Sequence, residues 1–228
     1  PYSTMIAPMA AFLARIESDK LGHVAYDHLA RWYWASVFLE RYAGSVESTT
    51  YRDFQDLMDA ARDINSLPVA VRDADQQIIH NPGFGLRNQA RLNSIYRGVM
   101  CLVALKGARD FASGDSIAFH DLDDHHIFPK AYLEKQKDEN GKPRYSPDQI
   151  NTILNRTLIT DETNSRISRK SPADYVKDLI PSEKARDILA SHFIDDDARA
   201  AMEANDYEAF LDARERSLVS EIRRRLQP

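Results

Sequence analysis

The run Asp123-Asp124-His125-His126-Ile127-Phe128-Pro129-Lys130 sets two adjacent imidazoles behind two carboxylates and ends on a proline. Imidazole changes charge near neutral pH, so it can bind a divalent metal as the neutral ring or take a proton from water. Two in a row provide one group for each task. The chemistry this points to is metal-assisted hydrolysis. The plain alternative is a metal-free pair satisfied by the nearby aspartates. Downstream, Asn155 closes an Asn-Thr-Ile-Leu-Asn run, and Asn164 lies in Thr160-Asp161-Glu162-Thr163-Asn164-Ser165-Arg166, ahead of Lys170 and Pro172. The order is His-His, then Asn, then Asn.

That order resembles the HNH, or ββα-metal, nuclease finger. More closely, His125-His126-Ile127-Phe128-Pro129-Lys130, Asn155-Arg156-Thr157-Leu158, Thr163-Asn164 and Lys170-Ser171-Pro172 resemble the C-terminal HNH-type domain of GmrSD-like DNA restriction and phage-defence proteins. The resemblance implies that His126 is the general base, His125 the first metal ligand and Asn164 a second ligand from a helix. Asn155 is then structural, its amide bridging loop backbone, and Lys130, Arg166 and Lys170 are candidates for phosphate contacts. One common form of the pattern has a carboxylate where His125 stands. A His and Asn pair is a weak, neutral set for Mg²⁺, so Asp124 or Asp123 is expected to bind directly or to orient His125 from behind. Mg²⁺ comes first, with Mn²⁺ or another transition metal next.

The resemblance further implies a DNA endonuclease of prokaryotic defence, with a nucleotide-hydrolysing or modification-sensing domain N-terminal to it in the full chain. A start at Pro1-Tyr2 fits a fragment. A single finger cuts one strand, so nicking is expected, with a homodimer as the route to cutting both. One rival is a catalytically degenerate module that only binds DNA or protein. Another is a structural zinc domain closed by His120, His125, His126 and an aspartate.

Composition narrows the classes. With 43% hydrophobic and 29% charged residues, the 228-residue chain is ordinary for a soluble globular protein. The single cysteine excludes an internal disulfide and suits a reducing, cytoplasmic setting. No apolar run reaches bilayer length, so no membrane is expected. A net charge of -5 excludes a globally basic DNA binder, although Arg156, Arg166, Arg169, Lys170 and Lys177 cluster beside the candidate site. No Gly-rich phosphate loop is present, which argues against nucleotide hydrolysis within this segment.

The elements that must position these groups read as mainly α, a helical protein with a small embedded ββα-metal finger. The expected divisions are an N-terminal helical region at 1–115, the finger at 116–180, and C-terminal helices at 181–228 packing on the helical region. Apolar spacing predicts helices over Met9 to Glu17, Ala25 to Tyr42, Tyr51 to Ile64 and Arg87 to Ala108. Their stripe includes Trp32, which is expected to pack in a core rather than stack on bases. Asp73 to Gly85 reads as a loop. Ile117 to Asp123 alternates as a strand leading into the double histidine. Ser146-Pro147 opens a short capped helix, Arg156 to Thr160 forms a second strand, and Thr160 or Asp161 caps the helix bearing Asn164. A last amphipathic helix runs from Tyr207 to about Leu226.

Overall fold

The structure is a computed structural model that describes residues 1–19, 22–44, 46–63, 66–87, 89, 93–118 and 123–227. His120 and the segment 119–122 of the predicted first strand lie outside the described residues, as do Ile64 and Leu92. The helices are α1 (Ile6–Asp19), α2 (His23–Phe38), α3 (Val46–Arg62), α4 (Val69–Ala74) and α5 (Ser94–Leu105), followed by strand β1 (Asp123–His126). Then come α6 (Lys130–Leu133), α7 (Pro147–Ile150), strand β2 (Arg156–Ile159), α8 (Asp161–Ile167), α9 (Pro172–Leu179), α10 (Ala185–Ala190), α11 (Asp196–Glu203) and α12 (Tyr207–Leu226). The protein is mainly α with one small ββα element, and no described helix is long and apolar enough to cross a membrane.

Two compact units divide the chain. The first comprises Pro1–Phe84, Leu92–Gly98 and Ser220–Pro228. Its core holds Phe12, Trp32, Val37 and Leu57, all fully buried, and Trp34 is nearly so. Trp32 packs as an amphipathic stripe predicts, and its indole Nε1 donates to Asp53 at 3.0 Å. Asp53 is fully buried, which its partners allow: it also accepts from Tyr42 and from both Nε and Nη2 of Arg41. From Asp73 to Ile79 the structure corrects the loop expected there, while His80 to Gly85 is non-helical as expected. Val69 to Ala74 is α-helical and continues as a π-helical turn through Ile79, because Ala70, Val71, Ala74 and Ile78 form a buried face among polar neighbours.

The second unit comprises Gly85–Arg91 and Val99–Val219. β1 and β2 pair antiparallel, with Asp123 opposite Ile159, Asp124 opposite Leu158, His125 opposite Thr157 and His126 opposite Arg156. The strand therefore contains the histidines, whereas Ile117 and Ala118 lie outside any strand. Phe128, just past β1, is fully buried with its ring centroid 5.0 Å from those of both Tyr207 and Phe210. α7 has a capping box: Ser146 Oγ accepts from Gln149 N, and the Gln149 side chain accepts from Ser146 N. Thr160, not Asp161, caps α8 by accepting from Thr163 N. Asp161 is left as the first helical residue with its carboxylate free to turn elsewhere.

Candidate metal and catalytic site

Side chains alternate along a strand, so Asp123 and His125 project to one side of β1, Asp124 and His126 to the other. On the first side, the Nε2 of His125 is buried and has no hydrogen-bond partner among the described residues. It lies 3.3 Å from Asp161 Oδ1 and 3.8 Å from Asp123 Oδ2. Ligand atoms of Asp123, His125 and Asp161 all fall within 4.8 Å of one another. An unsatisfied buried polar atom costs about 1–3 kcal/mol, and an imidazole nitrogen set beside two carboxylates is a donor group that a divalent cation could satisfy. The two carboxylate side chains are 64% and 84% exposed, so the group opens to solvent. Asn164 follows Asp161 by three residues on α8, which puts it on the same helix face.

On the other side, Arg156 is only 6% exposed, unlike the solvated phosphate-binding cation its sequence neighbourhood suggests. Its Nε donates to Asp124 Oδ1 at 2.7 Å and its Nη2 to Asp124 O at 2.9 Å. The structure thus brings Asp124 to Arg156 and not to the His125 group. Asn151 Nδ2 donates to Pro147 O at 2.8 Å, which turns Asn151 Oδ1 toward His126 Nε2, 3.0 Å away. His126 therefore carries its proton on Nε2. Arg156 Nη1 stands 2.8 Å from Nδ1 and 2.9 Å from Nε2, and only the Nδ1 lone pair can accept it.

The strands are held by groups well separated in sequence. Asn155 is fully buried; its Oδ1 accepts from Phe128 N at 2.7 Å, and its Nδ2 donates to Phe128 O and Ile150 O. Tyr175 donates its hydroxyl proton to Ile127 O at 2.8 Å, and burial pushes its pKa well up. Arg214, fully buried on α12, donates from Nη1 to Leu154 O and Arg156 O, each at 2.7 Å. Thr157, opposite His125, lies 2.6 Å from His192 Nδ1 through its hydroxyl, and His192 Nε2 lies 2.7 Å from Arg109 O. A carbonyl can only accept, so Nε2 donates and Nδ1 receives the Thr157 proton. Burial pushes the His192 pKa down to about 4, keeping the ring neutral.

Of the phosphate candidates, Lys130 and Arg166 are exposed and Lys170 is partly so. Lys130 pairs with Glu134 at 3.7 Å and Lys170 with Asp178 at 3.7 Å. Arg166 lines a cleft of about 370 Å³ beside Asp110, Ser113, Thr160 and Glu162. Sequence reasoning treated Asp161 only as a cap, and it assigned no part to Asn151, Asp110 or Arg214. The one local signal for Asp161 is a carboxylate one turn before Asn164, directly after a threonine able to cap in its place.

Residues 87–221 match the family model described as GmrSD restriction endonucleases, C-terminal domain. The chain is also similar to an uncharacterized protein of Methanocaldococcus jannaschii, with 31% identity over 245 aligned positions. That alignment covers 97% of this chain and 40% of the relative, so the chain spans well under half of that protein's length. No solved structure matches it.

Proposed function

The chain belongs to the family of GmrSD restriction endonuclease C-terminal domains, and from that premise we propose that it is a metal-dependent HNH-type endonuclease hydrolysing DNA phosphodiester bonds. The observation that carries this reading is His125 Nε2, buried and without a hydrogen-bond partner among the described residues, set beside the carboxylates of Asp123 and Asp161.

His125, Asp123 and Asp161 would hold the divalent cation, with Asn164 offering its amide oxygen from the same face of α8. Two carboxylates make a hard, doubly anionic donor set, which favours Mg²⁺ ahead of Mn²⁺. When bound, the cation neutralises charge on the scissile phosphate oxygens and on the leaving 3′-oxygen. His126 takes the proton of the attacking water at Nδ1, while Asn151 fixes the Nε2 proton and the ring orientation. Arg156 must first release Nδ1. A phosphate is a strong, bidentate partner for guanidinium, so arriving DNA draws the Arg156 fork from the imidazole to the substrate. Asp124 is then an anchor for Arg156, and Asn155 shapes the turn. A phosphodiester lying along the edge of β1 away from β2 can reach both histidines, which are one peptide apart.

Lys130, Arg166 and Lys170 contact flanking phosphates in this reading. With a net charge of -5, affinity comes from this local group and is steeply salt-dependent. One finger nicks one strand, and a pair of copies would cut both. Within a longer protein the module serves as effector of DNA-modification-dependent restriction against phage DNA in a prokaryotic cytoplasm, with sensing or nucleotide hydrolysis done by a separate domain. A closed structural zinc site is disfavoured by the exposure of the Asp123 and Asp161 carboxylates.

The test is conversion of supercoiled plasmid with Mg²⁺, Mn²⁺ or EDTA, comparing the wild type with folded His126→Ala and Asp161→Ala variants. Metal-dependent open circles lost in both variants are expected. Equal activity in all three proteins would refute the assignment.

A further inference from the structure

The Asp123, His125 and Asp161 group is assembled from a strand and a separate helix, so something must set the distance between them. The segment Arg109–Asp110 bonds directly to the start of α8 and reaches β2, the partner of the histidine strand, through His192. Asp110 is 5% exposed, and its carboxylate accepts five hydrogen bonds. Two close its own turn, from Ala112 N at 3.0 Å and Ser113 N at 3.2 Å. The other three come from the start of α8: Thr160 N at 3.2 Å, Thr160 Oγ1 at 2.8 Å and Thr163 Oγ1 at 2.6 Å.

A carboxylate only accepts, so it obliges the Thr160 hydroxyl to donate, which turns a lone pair of that oxygen toward Thr163 N, 3.3 Å away. Asp110 thus dictates how the cap of α8 is made, and the cap residue immediately precedes Asp161. One residue earlier in the same segment, Arg109 O receives the Nε2 proton of His192, and Arg109 N donates to Ser191 Oγ at 3.1 Å. His192 Nδ1 in turn receives the hydroxyl of Thr157, the strand partner of His125. One arm of this frame ends beside Asp161 and the other opposite His125.

We infer that Asp110 is a positioning residue of the metal site, holding the Asp161 end of α8 at the separation from His125 that a divalent cation requires. The inference rests on the metal-site reading above, and it places a determinant of that site outside the span of the nuclease motifs. Asp110 never touches substrate or metal. Its replacement by Asn sets an amide NH2 either at the Oδ1 place, against the Ala112 and Ser113 N–H groups, or at the Oδ2 place, against the Thr160 N–H, and each of those backbone donors needs an acceptor.

Mn²⁺ binding is measured by paramagnetic resonance titration of the wild type, Asp110→Asn, Asp110→Glu and Thr163→Val, with plasmid nicking followed across Mn²⁺ concentrations. Asp110→Asn is expected to weaken Mn²⁺ binding by about 10- to 100-fold, the range seen when partners behind metal ligands are lost. Saturating Mn²⁺ should restore the turnover rate, the KM for DNA should stay within about twofold, and Glu should recover part of the affinity. Thr163→Val keeps the carboxylate and removes one donor, so it tests the same link if the Asn variant does not fold, with a loss of at least about threefold in affinity expected. Wild-type binding that survives unchanged in folded Asp110→Asn or Thr163→Val would overturn this inference alone. A wild type that binds no Mn²⁺ would overturn the metal-site reading, and this inference with it.

Discussion

Replacing Asn155 with alanine should loosen the site by unfastening the turn after β1, without removing any catalytic group. The side chain is fully buried and makes three hydrogen bonds, to Phe128 N, Phe128 O and Ile150 O. Alanine leaves all three backbone groups buried without that partner. At about 1 kcal/mol for each lost bond, and up to about 3 kcal/mol for each group left unsatisfied, the loss comes to roughly 3–9 kcal/mol. Domain stabilities are typically about 5–15 kcal/mol, so this is a large share. Both tryptophans, Trp32 and Trp34, belong to the first unit, and their fluorescence does not report on this turn directly. The suitable assay is amide hydrogen exchange at Phe128, whose N–H donates to Asn155 Oδ1 at 2.7 Å. Protection there should fall by about 100-fold or more, since each 1.4 kcal/mol is a tenfold change when exchange follows opening. An Asn155→Ala protein with Phe128 protection within about fivefold of wild type would refute the reasoning that this amide fastens the turn.

Three further outcomes follow from the same geometry. Asp161→Asn should weaken Mn²⁺ binding by about 10-fold or more, whereas Asp124→Asn should change it by less than about threefold and instead alter the rate through Arg156 and His126; the reverse order in a binding titration would return Asp124 to the ligand set. His192 has its pKa pushed down to about 4, below the ordinary 6.5, so between those values the unfolded chain takes up a proton that the folded one refuses. Stability is therefore full above about pH 6.5 and declines toward pH 4, by up to about 3 kcal/mol, and His192→Gln should flatten that part of the slope in thermal unfolding. His28, lowered by burial and by Arg31, adds in the same sense and should remain in the variant. Gly98→Ala would place a Cβ 2.5 Å from Val37 Cγ1 and 3.3 Å from two carbons of the Phe38 ring; overpacking of about 1–3 kcal/mol should outweigh the better helix propensity of alanine and shift the tryptophan fluorescence transition to lower denaturant.

Much of the local structure was legible from order and spacing alone. Ser146-Pro147-Asp148-Gln149 declares its own helix start because the cap, the proline and the returning Gln lie within one turn. The stripe of α2 declares that Trp32 is buried, whereas alternation placed the first strand at Ile117 to Asp123, and β1 spans Asp123–His126 and takes in the histidines themselves. Only with the histidines inside β1 does alternation send them to opposite sides. Where a segment lacked such signals, as from Asp73 to Ile79, its helical turns were held by a sparse face of Ala70, Val71, Ala74 and Ile78 that polar neighbours concealed. The partners of each face were decided only by tertiary structure. Asp123, not Asp124, shares the face of His125 and meets Asp161, while Asp124 turns to Arg156, 32 residues away. Asp110, His192 and Arg214 look like ordinary polar residues in the sequence, and they hold the site because packing brings them to backbone groups 50 to 83 residues distant. Period and capping are properties of neighbouring residues and survive in the one-dimensional string. Burying charges and unpaired lone pairs is governed by which surfaces the folded chain brings together, and that is settled by long-range packing that no local pattern records.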